Sequence, residues 1–587
     1  MLAGLLRRDG SQLTNRPTAN QALNRAAITP TIGTQDSGPD PMPDNPAPPP
    51  FSIPLYRRIW VANVASQFGS LIQSVGAAWL MVELGGTKTQ IALVQASVTL
   101  PIMILALLSG AVADNYPRRL VMLVCQSWMF ILSVALCVFA WFGHLTPWAL
   151  LGFTFLIGCG TAMNAPSWQA TVGDIVPRGT IAGAVAMNSM GFNMARTAGP
   201  ALGGAIVAAF GSAAAFTVNA FSYLGIIWVL FSWRPEKPTR PTLREDLGTA
   251  MMAGVRYVLL SPPIRRVMFR SALFGFAAAS VPSLMPLVAS HLVGGSAITF
   301  GILSGSFGIG AVIGALSNRP VRARLTNEST LRLTVVAMIA GAVVIALSPW
   351  LLVTVCGLIV FGWGWLLAMA TMNVTVQMSA PRWVVGRALS LYQMCVFGMM
   401  AAGSWMSGWL SEHQGISDAI LIMAGVQAIG LGMGFFLRLP EVQDLNLELV
   451  GRWKVPDVKV PVEPRAGPVH IAVHYRIREE DVPRFLAAMN ESRRVRLRDG
   501  ARNWALVRDL SDPDLWIEKY RFGRWMDYVL HNERRTHADR ESLIILHTLH
   551  QGSWPPPIVR MLERQVTGVT IDPDLSTETT NDPTRSD

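Results

Sequence analysis

Arg196 stands about 15 residues into an apolar run over residues 181 to 209, roughly 22 Å deep if that run is a helix rising 1.5 Å per residue. A guanidinium in a bilayer interior costs on the order of 3 kcal/mol and is retained there for a task. Its five donors suit an anionic or carbonyl-rich ligand. Two roles fit the position: contact with a substrate or coupling ion, and a structural tether between helices. Other polar residues within apolar runs extend this chemistry. Asn63, Gln67, Ser70 and Ser74 recur at helical spacing and share one face, with Gln73 in the same stretch. Such a face lines either a cavity or a polar helix seam. Asn164 and Gln169, Asn188 and Asn193, Asn219, Asn373 and Gln377, and Gln393 are further candidates for a cavity wall.

Carboxylates are missing from the middle of these runs, since Glu83, Asp114 and Asp174 all fall near the edges, so no proton relay is evident. There is no phosphate-binding loop of the ATPase kind, which argues against ATP drive. His531, His537, His547 and His550 read as solvated helix histidines, and Cys125, Cys137, Cys159, Cys356 and Cys395 as small core residues. Neither a metal site nor a cofactor is expected.

The elements that must position these residues are membrane helices. With 587 residues, 51% hydrophobic and 14% charged, the chain is too apolar for one water-soluble core and too long for one domain. Twelve apolar runs of spanning length lie near residues 59–83, 90–112, 120–142, 147–169, 181–209 and 213–233, then 267–290, 297–317, 332–348, 350–376, 387–411 and 416–437. The first six repeat in the second six. Gly158 and Gly160 fall on Gly362 and Gly364, Thr171-Val172 on Thr375-Val376, Pro177-Arg178 on Pro381-Arg382, and Gly204 on Gly408, without a gap. Two halves in the same orientation are an architecture of secondary transporters, with the ligand site between them near the midplane.

The net charge of +11 does not point to nucleic acid, because the arginines cluster in connections on one side. Arg57, Arg58, Arg118, Arg119, Arg178, Arg319, Arg322, Arg382, Arg387 and Arg438 share that side, which the positive-inside rule makes cytoplasmic, with both termini. The expected division is a disordered Pro-rich leader (1–55), a first six-helix half (56–235), a cytoplasmic interhalf loop (236–265), a second half (266–440), a linker (441–467), a cytoplasmic α+β domain (468–565) and a disordered tail (566–587). Within the α+β domain Val469–Ile477 alternates as a strand, Glu480–Arg496 is an amphipathic helix, 504–510 and 515–522 are strands, and 525–535 is helical. No secretory signal peptide is evident, because polar residues follow Arg8 at once.

The loop Gly110-Ala111-Val112-Ala113-Asp114-Asn115-Tyr116-Pro117-Arg118-Arg119 resembles the signature loop of the major facilitator superfamily. That resemblance implies a conformational latch at Gly110, Asp114, Arg118 and Arg119. Asn115 and Pro117 depart from the pattern, and the second-half copy has Asn318 where an Asp is expected. Gly199, Pro200, Gly203 and Gly204 resemble the Gly-Pro helix-packing motif of the superfamily's exporters. Residues 165–178 and the overall layout resemble the bacterial transmembrane secretion effectors, relatives of the enterobactin exporter and macrolide efflux proteins. Residues 468–565 are similar to the ferredoxin-like fold of antibiotic-biosynthesis monooxygenases, which implies a homodimer through that domain.

The fold expected is therefore an all-α membrane protein of twelve transmembrane helices in two six-helix repeats, plus a small ferredoxin-like α+β domain. The resemblance implies secondary active export of amphipathic small molecules such as siderophores or macrolides across a bacterial inner membrane, with proton antiport by kinship. The rival reading is a membrane-anchored enzyme whose C-terminal domain modifies a small aromatic compound.

Overall fold

Inside a bilayer an amide has no water to bond, so each long apolar run closes its own hydrogen bonds as a helix. A computed structural model describes residues 48–233, 247–381, 383–441, 456, 458–533 and 536–564. The first half comprises α1 (Pro54–Glu83), α2 (Lys88–Asn115), α3 (Arg118–Trp141), α4 (Pro147–Ile175), α5 (Ile181–Phe210) and α6 (Ser212–Ser232). A short helix α7 (Leu247–Leu260) precedes the second half. That half comprises α8 (Pro262–Ala278), continued by α9 (Ser280–Leu287) and a π turn to Leu292, then α10 (Ala297–Arg324), α11 (Asn327–Leu347), α12 (Leu351–Met378), α13 (Val385–His413) and α14 (Ile416–Met433).

Among the described residues, nine helical spans are long and apolar enough to cross a membrane, Pro262–Leu292 counting as one. The three expected spans outside that set are α1, α5 and α13. They reach 30, 30 and 29 residues, but each carries polar side chains: Asn63 and Gln67, Asn188 and Arg196, Arg387 and Gln393. The stretch expected as an interhalf loop holds α7 and the first turn of α8. Tyr257 and Val258 of α7 are buried, so this segment folds because its apolar face finds cover.

Both halves turn the same corner. Gly211 joins α5 to α6 at φ +80° and Gly415 joins α13 to α14 at φ +103°. The two glycines continue the register that places Gly204 on Gly408, and each supplies a backbone conformation that other residues rarely adopt.

The C-terminal unit is β1 (Val469–Arg476), α15 (Val482–Arg498), β2 (Arg502–Arg508), β3 (Leu515–Phe522), α16 (Trp525–Glu533), α17 (His537–Leu549) and β4 (Ile558–Leu562). Its strands pair antiparallel in the order β2-β3-β1-β4. Val469, Ile471, Val473 and Tyr475 alternate onto the face covered by helices, against Phe485, Met489 and Leu546. α17 and β4 were not anticipated from the sequence. Charge is also buried here. His531, expected in solvent, is 1% exposed, with Nδ1 3.1 Å from Asp499 and Nε2 2.8 Å from Arg496. The side chain of His537 lies outside the described residues.

Candidate functional site

Two helix pairs join the halves: α2 packs along α13, and α5 along α10. Their contacts gather toward the end of the molecule that carries Glu83 and Glu412. There Lys88 Nζ donates to the Ser411 carbonyl at 2.9 Å, Thr89 donates to the Glu412 carboxylate, and Trp79 stacks on Phe300 with centroids 6.3 Å apart. Gly204 and Gly301 bring the α5 and α10 backbones together: a Cβ added at Gly301 would lie 2.9 Å from the Gly204 Cα. Small residues at such a crossing allow close approach. Closeness persists to mid-membrane, where a Cβ at Gly308 would lie 2.6 Å from the Arg196 carbonyl oxygen.

Toward the arginine-rich end the pairs separate. A Cβ at Gly110 on α2 or at Gly386 on α13 would meet nothing within 4 Å. One face of α13 records the change: Ser404 and Ser411 are buried, whereas Gly386 and Gln393 are exposed. On α5, Val185 and Phe192 are 53% and 50% exposed. A cleft therefore opens between the halves at the arginine-rich end and closes near the middle.

Arg196 sits where the cleft ends. Its guanidinium carbon lies 5.3 Å from the centre of the Phe307 ring, which belongs to α10 of the other half. No hydrogen-bond acceptor or carboxylate engages this guanidinium among the described residues. The ring offers its electron-rich face to the cation but accepts none of its directed N–H bonds.

The polar face of α1 has a definite direction. Its Gly69 and Gly76 edge packs on α6 (Asn219, Ser222, Phe216), and its Trp60, Val64 and Leu71 edge packs on α5 at Gly191 and Gly199. At 100° per residue Asn63, Gln67, Ser70 and Ser74 share the side opposite the exposed apolar Val61, with Gln67 beside the α5 edge and Ser70 bonded to Tyr223 of α6. Gln67 Oε1 and, on α4, Asn164 Oδ1 are buried without a partner among the described residues. Gln126 Oε1 on α3 and Asn318 Oδ1 on α10 share that state, so what sets Gln67 and Asn164 apart is their place near the cleft, where a ligand or water could complete the bonding.

Other expected residues fall elsewhere. Gln73 is buried in a seam between α1, α3 and α6, where its amide oxygen accepts from Asn219 and from Ser133 Oγ at 3.2 Å. Asn188 accepts from the Tyr56 hydroxyl at 3.2 Å, tying α5 to α1. Asn373 is half-buried on α12 and Gln393 exposed on α13.

In the expected latch, Arg118 Nη1 lies 2.6 Å from Asp174 Oδ2 and donates to the Ala170 carbonyl, while Arg119 donates to the Leu230 and Phe231 carbonyls at 2.8 and 3.0 Å. Arg119 thus caps the C-terminus of α6. The Asp114 side chain lies outside the described residues. Of the glycine motif, Gly199 and Gly203 face α1, and Gly204 faces α10; Pro200 lies within α5.

Sequence reasoning missed two features. Phe307 looks like any aromatic in an apolar run. Arg270 and Glu328 form a buried ion pair, with Arg332 on the same carboxylate at 2.8 Å. Leu439 N also donates to Glu328, at 3.0 Å. Glu328 and Arg332 lie at the start of α11 and resemble an ordinary charged flank, and Arg270, nine residues into α8, follows the basic run of Arg265 and Arg266.

Comparisons with known proteins agree with this architecture. The staphyloferrin A transporter of Staphylococcus aureus is 24% identical over 42% of the chain and 62% of its own length. The multidrug efflux pump Tap of Mycolicibacterium fortuitum is 22% identical over 67% of the chain and 97% of its own, and the enterobactin exporter EntS of Citrobacter koseri 26% over 49% and 68%. Among solved structures, the POT family transporter PepTSo covers 66% of the chain and 97% of its own at TM-score 0.54 and 13% identity. A bacterial homologue of the lysosomal transporter Spinster, in an inward-facing conformation, covers 65% and 96% at TM-score 0.53 and 14% identity. Residues 46–567 match the transmembrane secretion effectors, and the chain belongs to that family of multi-pass membrane transporters.

Proposed function

We propose that the protein is a secondary transporter that exports amphipathic small molecules by alternating access, with its ligand held where the cleft meets Arg196. One observation carries this reading: a mid-membrane guanidinium faces Phe307 of the opposite half and has no acceptor among the described residues. An anionic or carbonyl-rich group entering the cleft would supply what the arginine lacks. Asn63, Gln67 and Asn164 would line the same wall. The siderophore and multidrug exporters among the relatives favour substrates of this kind.

In this reading the arginine-rich end is cytoplasmic, with both termini, and the cleft faces inward. All twelve helices span, α1, α5 and α13 included, dividing the chain at the boundaries given above. Gly110, Asp114, Arg118 and Arg119 latch the inner mouth in the outward-facing state, and the proton gradient supplies the drive. The sheet order β2-β3-β1-β4 within a βαβ-βααβ succession supports a ferredoxin-like C-terminal domain, and its open sheet face suits pairing with a second copy. The enzyme reading gains no support from the family or the relatives.

Accumulation of a compound panel in cells with and without the protein, each with and without a protonophore, tests the proposal. Lower accumulation of acidic or carbonyl-rich compounds, reversed by the protonophore, is expected; equal accumulation throughout the panel would count against export.

A further inference from the structure

The interhalf helix and the C-terminal domain cap each other. Arg494 of α15 donates from Nη1 to the carbonyl of Leu260, the last residue of α7, at 2.9 Å. Arg256 of α7 donates from Nε to the carbonyl of Arg498, the last residue of α15, at 3.4 Å. Each helix thus receives a guanidinium at the end where its carbonyls lack internal partners and its dipole is negative.

Between the two caps lies Tyr257, 2% exposed. Arg498 covers one side of its ring, with 4.9 Å from the guanidinium carbon to the ring centre. That arginine is fixed from behind by two bonds of 2.9 Å to Asp539 and one of 2.9 Å to Asp499, so its plane is set before it meets the ring. Trp383 meets Tyr257 edge-on at 5.5 Å and 84°. Two residues further along the chain α13 begins, and its Arg387 side chain packs on Gly254 of α7. A continuous contact therefore runs from the core of the α+β domain, through Tyr257, to the base of the helix that forms the interface with α2.

We infer that the α+β domain is a clamp that assigns α7 to the second half and so favours the state open at the arginine-rich end. The inference rests on the alternating-access reading proposed above. α7 has three attachments: Ser261 alone joins it to α8 of the second half, it packs on the base of α13, and residues 234–246 connect it in sequence to α6 of the first half. Closing the inner mouth brings the bases of the halves together and changes the distance those attachments must span. With the domain docked, α7 is held against the base of α13; released, it can swing about Ser261 away from α13. A docked element shifts the equilibrium only by its different contact with the two states, and the base of α13 is where that difference arises.

The test uses the full-length protein in vesicles, with its five cysteines replaced and one reporter cysteine introduced. Gln393→Cys reports the open face of α13, and Ser411→Cys its closed end. In Tyr257→Leu and Arg256→Met, protease should release the α+β domain faster. Labelling at Gln393→Cys should fall at least about threefold while Ser411→Cys gains, a population shift of that size being well within a small contact's reach. Tyr257→Phe keeps the ring and should match the parent. The clamp is overturned if the domain stays attached in both variants, if it is released with both reporters unchanged, or if both reporters gain, which would mean a loosened fold. A wedge at the closed crossing, Gly301→Val, is the control: if it moves neither reporter, the alternating-access reading fails rather than the clamp alone.

Discussion

Arg196 of α5 and Phe307 of α10 face each other across the boundary between the halves, 5.3 Å from guanidinium carbon to ring centre, at the level where the cleft closes. With no acceptor engaging it among the described residues, this cation keeps its hydrogen-bonding capacity for a ligand. Arg196→Gln removes the charge and Arg196→Lys the planar fork. Both variants should reach the membrane in normal amount and transport poorly, Gln the worse for an anionic substrate, with losses of about tenfold or more for a lost charged contact of 1.5–3 kcal/mol. Uptake into inside-out vesicles, set against immunoblotted protein, checks this; normal transport by Arg196→Gln would return the arginine to a tether.

The α5–α10 crossing has no room for a side chain. Gly301→Val places a Cβ within 2.9 Å of backbone and should cost about 1–3 kcal/mol, borne by the closed end. Labelling of Ser411→Cys should rise, and labelling of Gln393→Cys should fall.

Glu328 holds Arg270 and Arg332 and accepts from the Leu439 amide. Glu328→Gln leaves the Arg270 side chain, 5% exposed, without its counter-charge, and should destabilise the second half by about 3–5 kcal/mol. Glu328→Leu combined with Arg270→Met should be milder than either alone. Monodispersity in detergent after graded heating measures the order, and additive losses would deny the coupling.

Asp499 gives the α+β domain a defined acid limit. Burial would raise its carboxyl, but Arg498 beside it and the His531 hydrogen bond hold it down at about 2. A depressed pKa contributes stability that is complete above the unfolded value near 4 and disappears as pH falls toward 2. About 2 kcal/mol should be lost across that window and little between pH 5 and 7 from this group. Protease release of the domain from membranes, followed against pH, would show the step, and Asp499→Asn should flatten it.

Orientation follows from the arginines. Impermeant maleimide added outside intact cells should label cysteines placed near Gly143 and Gly211 but not near Pro117 or Gly386. The opposite pattern would reverse the direction of transport proposed.

Local pattern alone determined the long apolar helices, their repeat and the outlier Arg196. Apolar length, glycine register and a charge out of place are written into adjacent residues, and a bilayer tolerates few alternatives. The corner glycines Gly211 and Gly415 fall in the gaps between the apolar runs, and their positive φ shows only in the fold. Only the tertiary structure decided what each polar residue faces. Gln67 and Gln73 are alike in type and share one helix, yet a rotation of 240° sends the first toward the cleft side and the second into the Ser133–Asn219 seam. His531 looked solvated because neither Asp499 nor Arg496 is near enough in sequence to reveal a shared core. Phe307, Glu328 and Tyr257 gained their roles from partners 111, 58 and 241 residues away (307 − 196, 328 − 270, 498 − 257). Charge balance and ring contact depend on distances in space, and the chain specifies those only once its helices have packed.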